Sequence, residues 1–162
     1  MRRVLLTAMA VAVVIPFAAR AQSKPDFSGT WTLDAAKSDP APQGRGGGGG
    51  MGAGSVTIKQ TGTELAVTSE GRQGPQTMTY KLDGSESSNE VMGRGGAQTV
   101  KSKAKWDGAT LVIDTTRDFQ GMSITTHEVR RLDSSGKEMV VETTAQTPQG
   151  EQKRKVVYTK GA

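Results

Sequence analysis

Several ionisable side chains fall on the apolar faces of strand-like runs, where charge is costly. Residues two apart in an extended chain share a face. On that alternation Arg117 lies beside Leu111, Ile113 and Phe119, Glu128 and Arg130 lie beside Met122 and Ile124, and Arg154 lies beside Val156 and Tyr158. Tyr80 joins Met78 and Leu82 in the same way. A buried charge is tolerated only when paired and hydrogen-bonded, so three Arg and one Glu facing inward form either a structural network or a site for an anionic head group. The expected ligand contacts are Arg117, Glu128, Arg130, Arg154, Tyr158 and Tyr80. A bulge or a one-residue slip would reverse these faces.

Catalytic patterns are missing. His127 is the only histidine, and it falls on the outward side with Thr125 and Val129, a poor place for a general base or a metal ligand. There is no G-x-S-x-G elbow, no H-E-x-x-H and no cysteine. Asp114 and Asp118 share an outward face and read as solvated. The sequence thus predicts no enzyme, no cofactor and no metal site; an activity using the inward Arg and Glu set is the remote alternative.

The elements that would hold these residues follow from composition. The 162 residues carry 21 Lys and Arg against 16 Asp and Glu, a formal charge of +5. Arg2 and Arg3 precede the apolar stretch Val4 to Ala19, and Ala19-Arg20-Ala21 supplies small residues where a signal peptidase reads. This is the pattern of an export leader over residues 1–21, too short and too broken by Pro16 to span a bilayer. Cleavage near Ala21 would remove three Arg and no acid, so 21 basic residues become 18 and the charge falls to +2. The expected location is the periplasm or the medium, with no nucleic-acid partner.

Beyond the leader, residues 22–40 hold one strand around Thr30 to Leu33, and residues 41–54 form a glycine-rich loop without the Gly-Lys-Ser/Thr of a phosphate cradle. Residues 55–162 alternate Val/Thr/Ile/Tyr-rich runs with eight turn signals, among them Asp83-Gly84, Asp107-Gly108 and Gly121. In Thr99 to Trp106 the lysines 101, 103 and 105 share one face, while Val100, Ser102, Ala104 and Trp106 share the other. Successive strands with one apolar face predict an all-β fold, an antiparallel up-and-down meander barrel of about eight to ten strands. A β-sandwich is the alternative. Outward lysines and only six aromatics beyond the leader exclude an outer-membrane barrel.

Phe27-Ser28-Gly29-Thr30-Trp31 resembles the opening of lipocalins and their calycin relatives, with Gly29 and Trp31 in the Gly-x-Trp signature and a long first connection before the meander. The chain is similar in this respect to small exported bacterial lipocalin-like proteins of unestablished function. The resemblance implies that Trp31 closes a barrel floor and that the interior takes a small apolar or amphipathic ligand. Arg154 and Tyr158 are similar in type to the interior Arg and Tyr with which fatty-acid-binding relatives hold a carboxylate. Trp31 and Trp106 are read as core residues. The expected function is reversible binding of a small amphipathic or anionic ligand in the cell envelope; the rival is a cavity-free structural or interaction module with no small-molecule ligand.

Overall fold

The computed structural model describes residues 24–40, 53–71, 74–93, 96–119, 121–147 and 150–161. The leader expected over 1–21 and most of the glycine-rich segment of 41–54 lie outside them. Ten strands run in chain order: β1 Gly29–Leu33, β2 Ser55–Gln60, β3 Glu64–Gly71, β4 Gly74–Lys81, β5 Asp83–Gly93, β6 Gly96–Asp107, β7 Thr110–Phe119, β8 Met122–Leu132, β9 Glu138–Thr147 and β10 Gly150–Lys160. All pair antiparallel in one sheet of order β4-β3-β2-β1-β10-β9-β8-β7-β6-β5. The first strand pairs with the last, with Trp31 opposite Lys160 and Leu33 opposite Tyr158. That pairing curls a single meander into a nearly closed barrel and displaces the two-sheet sandwich. No helix among the described residues is long and apolar enough to cross a membrane.

Hairpin chemistry sets the register. Gly108 adopts φ +59° in the tight β6–β7 connection, a backbone conformation costly for a side chain with Cβ, which explains the Asp-Gly pair there. The alternation holds over the whole of β6: Val100, Ser102 and Ala104 are buried while Lys101, Lys103 and Lys105 are exposed. Bulging is confined to the start of β5, between Asp83 and Glu86, so the inward parity of β7 to β10 survives intact.

The barrel lacks backbone pairing between its end strands, β4 and β5. Side chains bridge the seam instead. Thr79 N–H donates to Asn89 Oδ1 (2.8 Å), and Asn89 Nδ2 donates back to the Thr79 carbonyl (3.0 Å). Lys81 N–H donates to Ser87 Oγ (2.8 Å), and Gln76 Nε2 donates to the Met92 carbonyl (3.0 Å). The Asn89 carboxamide thus reproduces the two-way exchange of a hydrogen-bonded antiparallel pair.

One end, the floor, collects the β2–β3, β4–β5, β6–β7 and β8–β9 connections and is crossed by the segment before β1. Gln60 clamps that segment: its Oε1 accepts from Phe27 N–H (3.0 Å), and its Nε2 donates to the Pro25 carbonyl (3.0 Å). Trp31 Nε1 donates to the Phe27 carbonyl (2.8 Å), and the Phe27 ring stacks on Trp106 at 6.0 Å. Gly29 is required beside them, because its φ is +132° and a Cβ there would stand 2.8 Å from Lys160 Cε. Trp31 is thus fully buried at the floor.

Candidate functional site

Height along the barrel divides the interior into two zones. Near the floor, Phe27, Trp31, Leu65, Leu111, Met139 and Tyr158 all have no accessible surface. A side chain with no surface open to a water-sized sphere borders no empty space large enough for a ligand, so this half is a close-packed core. Toward the upper end the inward positions turn small and polar: Gln76 on β4, Gln98 on β6, Thr115 on β7, Thr126 on β8 and Thr143 on β9 are all half-buried. Ser102 Oγ and Thr115 Oγ1 share a hydrogen bond at 3.0 Å across this wall.

Arg130 sits at the boundary between the zones, 1% exposed, with Leu111 and Val141 opposite it on β7 and β9. Its Nε donates to Glu128 Oε1 on the same face of β8. Burial works against the guanidinium charge, but the Glu128 carboxylate, seconded by the Tyr80 and Tyr158 phenols, more than offsets it and raises the pKa. The guanidinium lies over the Tyr80 ring at 5.6 Å. Burial in turn pushes the Tyr80 phenol up to about 12, against the pull of Arg130. One guanidinium nitrogen, Nη1, is buried with no acceptor.

The three inward arginines do not converge on one point. Arg154, one rung above Val156 on β10, is half-buried, and its Nε is shielded from solvent with no acceptor. Arg117 has the expected inward parity, between Val100 and Ile124, but is exposed near the upper end of β7. This corrects the expectation of a third interior arginine: alternation fixes a face but not how far a long side chain reaches toward solvent, and Arg117 is exposed although Val100 and Ile124 on either side of it are buried. Tyr158 is buried, and its hydroxyl donates to the Ala53 carbonyl at 3.1 Å, tying the end of the glycine-rich segment to the barrel wall. Tyr80 OH lies 3.5 Å from the Met78 sulfur and also interacts with the Arg130 side chain. The assembled candidate site is therefore Arg130, Glu128 and Tyr80 at the base, Arg154 higher on the wall, and Arg117 near the upper end.

The remaining chemistry-bearing residues sit elsewhere. His127 faces outward, with Nδ1 2.7 Å from Asp114 Oδ1, and both are half-exposed. Arg131 holds Glu142 in a two-bond fork on the outer face (3.0 and 2.7 Å), which keeps the Glu142 carboxyl below its ordinary pKa. A cleft of 340 Å³ under the floor is lined by Lys24, Asp26, Gln60 and Trp106, and another of 400 Å³ is bordered by Asp39, Thr144 and Arg154. Sequence reasoning missed Thr143, which lies between Arg154 and Glu128 on the wall, and Thr126, one rung above Glu128; their parity was legible, but threonine carries no motif.

No family model and no curated protein matches this chain. Among solved structures, fatty-acid-binding protein 1 of Echinococcus granulosus aligns with TM-score 0.51 at 18% identity, covering 84% of this chain and 98% of that one. The ileal bile acid-binding protein of zebrafish, complexed with cholic acid, gives 0.45 at 18% identity over 66% and 72%. The fatty-acid-binding protein of Manduca sexta gives 0.44 at 21% over 65% and 71%. At such identities the likeness is one of fold, and what this chain shares with the Echinococcus protein is an up-and-down antiparallel barrel.

Proposed function

We propose that this protein is an exported, lipocalin-like carrier that reversibly binds a small anionic molecule in the upper, polar half of its barrel, and that it is not an enzyme. One observation carries the reading. Arg130 Nη1 is a charged donor held away from water with no acceptor, and leaving such a donor unmade costs about 1–3 kcal/mol. An incoming carboxylate supplies the missing acceptor while Glu128 holds the guanidinium in place. The Echinococcus protein, named for binding fatty acids, lends the barrel a precedent as a container. Placement in the cell envelope rests on the leader-like start of the sequence.

The test is solvent extraction of the natively purified protein followed by mass spectrometry of what is released, with octanoate titration of the emptied protein. A bound small acid, or saturable octanoate binding, supports the reading. An empty protein without affinity for octanoate overturns it. The close-packed lower half favours a second reading, a cavity-free interaction module, and that outcome together with a stoichiometric protein partner on native purification would establish it.

A further inference from the structure

We infer that the ligand is a short diacid rather than a long-chain fatty acid, with its second acidic group received by Arg154. The inference rests on the anion-binding reading above and specifies its ligand. Among the described residues three charged side chains face inward above the floor and are at least half-buried: Glu128, Arg130 and Arg154. Glu128 is committed to Arg130, so that pair is neutral, whereas Arg154 makes no ion pair with a described residue, although Asp39 and Glu142 border the cleft that it also lines. The wall therefore offers two buried donors short of an acceptor, one on Arg130 and one on Arg154, and a diacid meets both where a monoacid meets one.

Register gives the spacing. Arg154 stands opposite Thr143 on β9, which stands opposite Glu128 on β8, and Arg130 is one rung below Glu128. Two strand spacings across and one rung down put the Arg154 and Arg130 Cα atoms roughly 12 Å apart along the wall. Each of the two guanidinium groups has one buried nitrogen without an acceptor. The Arg130 group is drawn toward Glu128 and across Tyr80, so the two present separate receiving points for the two ends of one molecule. The surface between them is Thr143 and Glu128 in the upper row and Val141 and Val156 in the lower. Such a surface offers hydrogen bonds in one row and a short apolar strip for a few methylene groups in the other, and the close-packed floor stops a long tail from running deeper.

Calorimetric titration of the full-length protein with adipate, suberate and sebacate, each against its monoacid (hexanoate, octanoate, decanoate) and its monomethyl ester, tests this. At the best-fitting length the diacid binds about tenfold tighter or more than the monoacid or the ester, the factor expected of one added charge-assisted hydrogen bond. Arg154→Gln, with its fold verified by circular dichroism, abolishes that advantage. Hexadecanoate binds no tighter than octanoate. Monoacids that bind as tightly as diacids at every length, or hexadecanoate that outcompetes them, overturn the diacid while leaving the anion reading standing. Absence of binding by every acid overturns both.

Discussion

Replacing Asn89 with alanine tests how the barrel is closed. Its carboxamide supplies two of the hydrogen bonds that join β5 to β4, accepting from Thr79 N–H at 2.8 Å and donating to Thr79 C=O at 3.0 Å. Truncation removes both at once and leaves the Thr79 peptide groups facing a gap too wide for backbone pairing with β5. A net hydrogen bond contributes about 0.5–1.5 kcal/mol, and a group left without partner or water costs up to about 3. Thr79 is half-buried, so water meets part of that need. The expected loss for Asn89→Ala is about 2 kcal/mol, read as a fall in the urea midpoint with unchanged slope. Amide exchange locates the effect. The Thr79 amide loses protection, whereas the Val67 amide, deep in the β2–β3–β4 layer, loses only what the global stability loses. Asn89→Asp keeps an acceptor for Thr79 N–H but sets a carboxylate against the Thr79 carbonyl, and should be at least as damaging at neutral pH. A stability change under about 0.5 kcal/mol, the size of an ordinary surface substitution, with Thr79 exchange unaltered would refute the side-chain seam.

Three further outcomes follow from the same geometry. Arg130→Met strands the Glu128 carboxylate near the core and should cost about 3–5 kcal/mol, whereas adding Glu128→Leu should recover most of it in urea denaturation, because an apolar pair replaces a buried ion pair at little net cost. Asp133, in the β8–β9 turn, accepts from the Ser135 hydroxyl and from the Ser135, Lys137 and Glu138 amides, and the Ser135 hydrogen bond leads in holding its carboxyl down at about 2. A carboxyl depressed on folding stabilises the native state above its unfolded pKa, so its contribution fades as pH falls from about 4 to about 2, and Asp133→Asn should flatten that part of an acid denaturation profile. Gln60→Ala releases the floor segment at Pro25 and Phe27, with an expected loss of about 1–2 kcal/mol in urea denaturation. It should also shift Trp106 fluorescence to the red as the Phe27 stack loosens.

Much of the architecture was legible because antiparallel strands declare themselves locally. The lysine triplet of β6 and the Asp-Gly turns fix parity and strand ends without reference to anything distant. The site was legible only as a set of faces. Arg130 and Arg117 obey the same alternation, yet one is buried and the other exposed; Arg130 has Glu128 on its own face to pair with and Arg117 has no such acid, and which side chains meet at a given height is set by the pairing of distant strands, which no window of sequence contains. The partner of the Tyr158 hydroxyl, Ala53, lies 105 positions away in the chain, and nothing near either residue signals the pairing. The seam did leave a trace. Ser87, Ser88 and Asn89 are poor strand formers in the middle of β5, and such a stretch suits an end strand whose side chains must substitute for a missing neighbour.

Scarcity of aromatic residues shapes how this barrel divides its interior. Phe27, Trp31 and Trp106 are gathered at the floor, with Tyr158 buried a rung above it. A chain with no cysteine has no disulfide to brace a hollow barrel, so concentrating its large side chains at one end secures the fold with few of them. The upper half then mixes threonine, glutamine and arginine with Val100 and Ile124, and two buried guanidinium nitrogens there lack acceptors. Each such donor costs about 1–3 kcal/mol, a substantial share of the 5–15 kcal/mol typical of a whole domain. Purely structural selection removes that cost readily, since a methionine or leucine at Arg130 with an apolar partner at Glu128 fits the same space. Its persistence is explained if the missing acceptors arrive with a ligand, and it makes the ligand-free protein the less stable form. Saturation with the matching acid should therefore raise the unfolding temperature, and in Arg154→Gln that rise should shrink more for a diacid than for its monoacid.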